Sequence, residues 1–403
     1  MRAGIALVVL AASGLLIPAG GARPEGCASS GKHLGSIAFA ARGSLHVLSL
    51  ETCRGRAVVA QGVAPPVRWS PDGRFLAYGD GAVVPAAGGA VSHPLGRTFG
   101  WQWRPGTHEL VGATPGGGLL LARPGAAAER LLPEGWGAAN PFFDRSGKVL
   151  GLVRERATHR FELWQVLWPT RTPQQAAAGS RLGDPPILAT ISPAGGWVFW
   201  WTGTRSNSIM ADGLPLMVKG TALGALGPRV AQTLVYPEFL AWCGARLLLA
   251  AGGDRYATHG KRLLLASPPL PGYGQRWRVR DLSRDASRSW ISPACSPARR
   301  SVAVSAGRNW FETRFGLERR SIWILRFDGG RRRLTSPGVA SDELPRWSRD
   351  GRYVLFVRTR KGQGSFRLVD VRTGRDIGLS AQVLSGNGYY GHYGWASLTD
   401  WSR

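Results

Sequence analysis

The feature that most constrains the fold of this chain is a motif that recurs along nearly its whole length. Two close copies are Val67–Tyr78 (VRWSPDGRFLAY) and Pro345–Phe356 (PRWSRDGRYVLF). Weaker copies keep the same order: a short apolar stretch, a four-residue turn and a second apolar stretch. The turns open at positions 70, 104, 144, 192, 243, 296 and 348, so the spacings are 34, 40, 48, 51, 53 and 52 residues. Such a period is typical of arrays in which each repeat forms one supersecondary unit.

Turn chemistry explains the most regular part of the motif. The Ser70 hydroxyl can bond the backbone ahead of it, Pro71 presets φ near −65°, Asp72 tolerates the third turn position and Gly73 suits the fourth. These residues predict a tight hairpin between two strands, with the bulky Trp69 wedged between neighbouring sheets. The second copy supplies the same structural residues at Trp347, Asp350 and Gly351.

Continuous apolar runs around the turns predict strands that are covered on both faces. Examples are Val149–Val153, Leu247–Ala250, Ile322–Leu325 and Val354–Val357. Each unit then adds a third strand and a polar fourth strand, as at Arg331–Thr335. Four short strands per unit predict an all-β fold, a single β-propeller of four-stranded blades. The repeat count gives eight blades. Seven is the alternative, because the unit that begins at Trp69 is short and continues into a segment rich in Gly and Ala.

The two ends of the repeat region predict how the ring closes. Ser36–Ala40, Leu45–Leu50 and Ala57–Ala60 have the pattern of the second, third and fourth strands of a blade without its first. Leu398–Ser402 repeats the Trp-Ser pair and can supply that inner strand. Closure of this kind leaves few exposed sheet edges. We therefore expect one propeller over residues 36–403.

The repeat resembles the WD40-like (PD40) propeller repeat of the TolB family, the periplasmic component of the Tol envelope system. It also resembles the propeller domains of prolyl-oligopeptidase-type peptidases. The residues that carry the resemblance are the units that start at Trp69 and Trp347 and the strand pair around Trp323. For the fold, the resemblance implies a propeller; for function, it implies a role in binding a partner at the cell envelope.

The N-terminus predicts export. Residues 1–22 have the pattern of a signal peptide: Arg2, a thirteen-residue apolar run from Ile5 to Ile17, and small residues up to Ala22. Residues 23–35 would then form the N-terminal segment of the mature chain. A membrane anchor is the alternative, although Pro18 ends the run well short of about 20 apolar residues. Lipid attachment at Cys27 is a weaker alternative. After cleavage we expect no transmembrane segment and a protein that is secreted, periplasmic or associated with the envelope.

Four cysteines in an exported chain predict disulfides rather than catalysis. Of three connectivities, we favour Cys27 with Cys53, near in sequence, and Cys243 with Cys295, in neighbouring repeats. The cysteines and the seven scattered histidines show no metal-ligand spacing, so we predict no metal and no cofactor.

The net charge of +26, from 51 basic and 25 acidic residues, predicts a strongly positive surface. Of the basic residues, 46 are Arg. The chain is also rich in Ala, Gly and Pro, and this combination is what codon bias in a GC-rich genome produces. The charge either reflects that bias or serves an anionic partner. The candidates for such a partner are an envelope polymer, an acidic polysaccharide, lipid headgroups or nucleic acid.

Two segments are candidate binding sites. The glycine-rich stretch 387–395 carries aromatic and imidazole side chains that could stack on a ligand: Tyr389, Tyr390, His392, Tyr393 and Trp395. The alternative is that they cover one end of the propeller. A hairpin tip with Arg358, Arg360 and Lys361 could hold phosphates or carboxylates, or be a solvated turn.

No catalytic motif stands out, because the chain has neither a Gly-x-Ser-x-Gly elbow nor a phosphate-binding loop. The sequence thus predicts an exported, non-catalytic, monomeric binding or scaffold module for a protein or an anionic envelope polymer. We expect no specific binding of nucleic acid. The alternative is a lyase-like or glycosidase-like enzyme with its site in the propeller channel.

Overall fold

The computed structural model describes residues 34–156, 160–175, 186–203, 213–220, 228–269, 276–309, 319–379, 384–385 and 388–402. The predicted signal peptide, most of the segment 23–35 and Cys27 lie outside these residues. Export and the Cys27–Cys53 bridge therefore stay predictions. Every helix among the described residues is too short or too polar to cross a membrane.

The described residues form a sequence of short strands with little helix. The first four blades contain β1 (Ser36–Ala41), β2 (Ser44–Ser49), β3 (Gly55–Val59), β4 (Val67–Trp69), β5 (Phe75–Tyr78), β6 (Ala82–Pro85), β7 (Trp101–Trp103), β8 (Leu110–Ala113), β9 (Leu119–Ala122), β10 (Glu129–Leu132), β11 (Ala138–Phe143), β12 (Val149–Arg156), β13 (Arg160–Leu167) and β14 (Thr172–Gln175).

The last four blades contain β15 (Ile187–Ile191), β16 (Trp197–Trp201), β17 (Leu214–Gly220), β18 (Arg229–Thr233), β19 (Leu240–Cys243), β20 (Arg246–Ala251), β21 (Arg262–Ser267), β22 (Arg278–Asp281), β23 (Arg288–Cys295), β24 (Ser301–Arg308), β25 (Ser321–Arg326), β26 (Arg331–Arg333), β27 (Ser341–Trp347), β28 (Tyr353–Arg360), β29 (Gln363–Asp370) and β30 (Asp376–Gly378). A 3-10 helix, Pro237–Phe239, precedes β19. The C-terminal segment adds β31 (Leu384–Ser385), β32 (Gly388–Tyr389), β33 (His392–Tyr393), the single-turn helix α1 (Trp395–Leu398) and β34 (Thr399–Ser402).

These strands build an eight-bladed β-propeller in the described part of the chain. Each blade is an antiparallel sheet whose strands follow one another from the channel outwards. Blade 1 joins the two ends of the chain, in the order β3-β2-β1-β34, and Ser36 pairs with Ser402. The fold class and the closure by a C-terminal inner strand, both predicted from sequence, are confirmed.

Blade 2 is the short unit that left seven blades open as an alternative. Its sheet has three strands, β4-β5-β6, and a single bridge between Val83 and Ser92 stands where a fourth strand would pair. The glycine-rich segment therefore shortens this blade, but the blade still takes its place in the ring.

The motif turns lie between the first and second strands of their blades, as predicted. In blade 2 the Gly73 amide donates to the Ser70 carbonyl at 2.9 Å, and the Ser70 hydroxyl donates to Asp72 at 2.6 Å. Gly73 has φ +72°, a conformation that glycine adopts without steric cost.

The motif tryptophans join neighbouring blades through their indole N–H groups. At three of the motif tryptophans the indole donates to the backbone carbonyl of the residue that precedes the equivalent motif position in the previous blade. The bonds are Trp69 to the Asp400 carbonyl at 3.2 Å, Trp103 to the Arg68 carbonyl at 3.4 Å and Trp347 to the Ala294 carbonyl at 2.9 Å. We call this recurring contact the indole clasp.

Blade 7 has Cys295 where the other copies have an aromatic or aliphatic residue, so it cannot form the clasp. A disulfide joins Cys295 to Cys243 on the inner strand of blade 6 instead. The predicted Cys243–Cys295 bridge is thus present in the structure, and it makes a covalent link where an indole would make a hydrogen bond.

The hydrophobic core lies between blades rather than at the ring's centre. One cluster packs Ala38 and Leu45 of blade 1 against Trp69, Leu76 and Val84 of blade 2. Similar clusters recur around the ring, which leaves the inner strands free to border a channel.

Loss of one indole clasp should destabilise the propeller. We expect Trp347→Phe to lower the free energy of unfolding in urea by about 1 kcal/mol more than Trp277→Phe, because it removes the hydrogen bond to the Ala294 carbonyl. The indole N–H of Trp277 is buried and has no hydrogen-bond partner among the described residues. Trp277→Phe therefore removes ring volume and an unpaired N–H, and no hydrogen bond to a described residue. Equal losses in the two variants would contradict a stabilising clasp.

Candidate functional site: the mouth of the central channel

The two ends of the channel are built from different loops. Antiparallel order places the turns that follow the inner strands, and those between third and fourth strands, at one end. We call this end the turn face. The connections between second and third strands, and those between blades, lie at the opposite end, which we call the connector face. The motif turns thus all lie on the turn face.

The segment Gly388–Leu398 lies across the connector face, and we call it the cap. Its hydrogen bonds reach blades on opposite sides of the ring. Ala257 N donates to the Tyr390 carbonyl (2.9 Å), Arg320 to the Gly391 carbonyl (2.6 Å), Trp395 to the Thr359 hydroxyl (3.0 Å) and Arg68 to the Ala396 carbonyl (2.8 Å). These donors and acceptors belong to blades 6, 7, 8 and 2, so the cap spans the end of the channel.

A histidine–glutamate pair fixes the cap above the channel. His392 Nε2 lies 2.7 Å from Glu238 Oε1, and the Tyr236 ring stacks on His392 with centroids 3.6 Å apart. Burial raises the pKa of Glu238, but the hydrogen bond and charge of His392, with Arg68 nearby, outweigh burial and leave that pKa below its ordinary value. Glu238 is therefore held as a carboxylate.

A lysine buried beneath the loop that receives Tyr390 supports the cap from below. Lys261 has 0 % of its surface exposed, and its ammonium donates to the carbonyls of Asp254 and His259. Burial lowers the pKa of Lys261 to about 8, against a small opposing effect of the Asp254 charge.

Two arginines and an aspartate line the channel between the cap and the turn face. Arg346 Nη1 lies 3.0 Å from Asp400 Oδ1, and Asp400 Oδ2 accepts the backbone amide of Trp69 at 2.8 Å. Burial lowers the pKa of Arg68, and the charge of Arg346 adds to this, while Asp400 and Glu238 oppose it. These opposite charges compensate one another inside the ring.

Beside this cluster a cavity of about 550 Å³ runs along the inner strands of blades 6, 7 and 8. It extends from Glu238, next to the cap, to the turns of the turn face. Within the described residues its charged lining consists of one carboxylate, Glu238, and four arginines: Arg145, Arg299, Arg346 and Arg349. The mouth of the cavity is therefore strongly positive.

Three of these arginines occupy turn positions that the motif gives to other residues. Arg299 stands at the position of Gly73 and has φ +56°, a left-handed conformation that costs a non-glycine residue about 1 to 3 kcal/mol. Arg145 and Arg349 stand at the position of Pro71. The departures from the motif thus place guanidinium groups around the mouth.

Arg145 and Arg299 are both exposed. Among the residues that the structure describes, neither side chain has an acidic partner within ion-pair distance. A guanidinium group in this setting can bind a carboxylate or phosphate through two parallel hydrogen bonds.

The carboxylates of the channel, by contrast, are engaged. Glu238 pairs with His392, Asp400 with Arg346, and Glu343 with Arg320 at 2.7 Å. In the described ranges no three His, Cys, Asp or Glu residues are grouped to hold a metal ion. The arrangement favours binding of an anion over proton transfer by a free carboxyl group.

The predicted aromatic site lies in the cap. Tyr393 and Trp395 are buried and stack on each other with centroids 5.5 Å apart, so their faces are covered by the propeller. His392 is bound to Glu238. Tyr390 packs edge-on against Tyr256 at 5.0 Å. The side chain of Tyr389 lies outside the described part. A binding role for these residues stays a prediction.

The predicted basic tip divides into two parts. Arg358 is bound by Asp342 at 2.6 Å and by Asp376 at 2.8 Å. Burial raises the pKa of Asp342 although Arg358 acts to lower it. Arg360 and Lys361 are exposed at the tip of the β28–β29 hairpin. That tip is on the connector face, away from the channel mouth.

The sequence did not single out the arginines of the mouth. Arg145, Arg299 and Arg349 lie 50 or more positions apart in the sequence, and nothing local distinguishes them from the other basic residues. An alignment of the seven motif turns could have found them, because in these three copies arginine stands where Ser70–Gly73 has proline or glycine.

Comparison with known proteins supports the fold and leaves the activity open. No protein-family model and no curated protein matches the chain. Among solved structures, a eukaryotic initiation factor matches with a TM-score of 0.56 and 12% identity, covering 92% of this chain and 88% of its own. A protein described as a dipeptidyl aminopeptidase IV from Bacteroides ovatus matches with 0.50 and 10%, covering 85% and 57%. TolB from Acinetobacter baumannii matches with 0.39 and 13%, covering 92% and 67%. At 10% and 12% identity, the two matches with TM-scores of 0.50 and 0.56 show a shared fold only.

Stability should depend on the titration of Lys261. The unfolded chain, with an ordinary lysine pKa of 10.5, binds more protons than the folded protein between pH 8 and 10.5. The free energy of unfolding of the wild type should therefore rise across this window relative to Lys261→Met, as measured by urea denaturation at pH 7.5 and 10. Parallel pH profiles in the two proteins would contradict a lowered pKa.

Proposed function

We propose that this protein is an exported, non-catalytic binding module whose channel mouth holds the anionic groups of a partner. The observation that carries the proposal is the cavity of about 550 Å³ with Arg145, Arg299, Arg346 and Arg349 in its lining. Its opposite end is covered by the cap, so a partner approaches from the turn face. The partner is an anionic polymer of the envelope or an acidic protein segment.

Export is supported by two features. The disulfide between Cys243 and Cys295 suits an oxidising compartment. The N-terminal 22 residues have the signal-peptide pattern. A basic surface facing the periplasm or the outside would meet the anionic polymers that such compartments contain.

The alternative function is an enzyme of the lyase or glycosidase type in the channel. General acid or base catalysis needs a carboxyl or imidazole group within reach of the substrate. Glu238, His392, Asp400 and Glu343 are instead bound to one another or to arginines. Their pairing supports binding over catalysis.

Substitution of Arg299 by glycine tests the contribution of this residue to binding without a loss of stability. Glycine accepts positive φ, so Arg299→Gly should leave stability unchanged or raise it by about 1 kcal/mol while it removes one guanidinium from the mouth. We expect its affinity for a uronic-acid trisaccharide, a short polyphosphate or a short poly-glutamate peptide to fall about tenfold, which is the loss of one charge-assisted contact. Isothermal titration calorimetry at low salt measures the affinity, and urea denaturation the stability.

Arg74→Ala is the matched control, because Arg74 is exposed on a motif turn of blade 2, away from the cavity. If it weakens binding as much as Arg299→Gly, the positive field of the whole surface is responsible and the mouth is not a site. Wild-type protein that binds no anionic ligand would overturn the proposal. Release of shortened or unsaturated oligosaccharides during the titration would favour the enzyme.

A further inference from the structure

We propose that the mouth continues into a track for a linear uronic-acid polysaccharide, a polymer with a carboxylate on each sugar. The inference rests on the proposed function and names its ligand class. The track consists of two grooves on the turn face: one of about 470 Å³ between blades 6 and 7, and one of about 600 Å³ between blades 7 and 8.

Shared residues make the grooves continuous with the mouth. Arg299 lines both the channel cavity and the groove between blades 6 and 7. Arg300, the next residue, lines both grooves. The groove between blades 7 and 8 then runs outward to Arg331 and Arg332 on the outermost strand of blade 7. A chain with one end in the mouth can therefore lie along a radial path to the rim.

The track carries a large excess of positive charge. Among the described residues, its two grooves are lined by six arginines and two aspartates: Arg246, Arg299, Arg300, Arg326, Arg331, Arg332, Asp328 and Asp350. Both aspartates are engaged locally, Asp328 by Arg326 and Asp350 by the Ser348 hydroxyl and the Arg352 amide. Arg300 is exposed and has no ion-pair partner in the described ranges. The field along the track therefore attracts repeated negative charges.

The walls of the track also include apolar groups. Pro297, Ala298 and Ile324 line the groove between blades 7 and 8 together with the arginines, and the first two are exposed. A sugar ring has C–H groups that can pack on such a surface while its carboxylate faces a guanidinium group. Polyphosphate has no apolar face. Single-stranded nucleic acid needs exposed aromatic rings for stacking, whereas the Trp347 ring is buried and its N–H is bound to Ala294. The chemistry favours a uronic-acid polymer.

Affinity as a function of chain length tests the track. Wild-type protein should bind a uronic-acid decasaccharide about tenfold more tightly than a trisaccharide, because the longer chain reaches the groove arginines. Arg300→Ala combined with Arg332→Gln should remove most of this gain and leave trisaccharide affinity unchanged. Arg74→Ala, at the turn position of blade 2 that matches Arg300, should keep the gain. Urea denaturation confirms that each variant is folded.

The outcomes separate the two proposals. If trisaccharide and decasaccharide bind equally well to the wild type, the track is overturned while the mouth stands. If neither binds, the track is overturned, and binding of polyphosphate or poly-glutamate then decides whether the mouth stands. A further outcome is that polyphosphate shows the same increase of affinity with chain length, and that the double variant loses it in the same way. In that case the track recognises negative charge alone, and the assignment to uronic-acid polymers is wrong. A neutral glucan of equal length should not bind.

Discussion

The structure depends on how each blade is fastened to the one before it. Sheets in a propeller touch mainly through side chains, so polar contacts between inner strands decide their register around the ring. The indole clasp supplies such a contact at Trp69, Trp103 and Trp347. At blade 7 a disulfide takes its place. The same blade carries Arg299, so the covalent link holds the inner strand next to the strained turn at the channel mouth.

Closure of the ring sets a second constraint, at the point where the two chain ends meet. Gly35 has φ +75°, and a Cβ built there would lie 2.0 Å from the Ser402 carbonyl oxygen. Only a residue without a side chain allows the last strand to come this close. The Trp401 indole then donates to the Leu34 carbonyl at 2.6 Å. The cap precedes β34 in the chain and leads directly into it through α1.

Local chemistry explains why the fold was predictable from sequence and the site was not. The fold depends on short sequence patterns: the Ser70–Gly73 turn, the apolar strands and the Trp-Ser pair at Trp401. Each pattern spans only a few consecutive residues, so it can be recognised in the sequence. The cap depends on contacts between distant residues, such as Glu238 with His392, which are 154 positions apart. No local pattern links those two residues. The mouth likewise needs the ring to bring Arg145, Arg299 and Arg349 together.

The turns of the turn face combine locally bonded aspartates with exposed arginines. The turn aspartates use their oxygens locally: Asp72 accepts the Arg74 amide at 3.1 Å, Asp144 the Val149 amide at 2.9 Å, and Asp370 the Arg372 amide at 2.9 Å. A carboxylate held this way is partly screened by the amide dipoles that point at it. The exposed arginines of these turns are not needed for the hydrogen bonds that form the turn, and their side chains extend into solvent. The turn face therefore presents arginine outward, and at the channel mouth arginine also replaces the motif's proline or glycine.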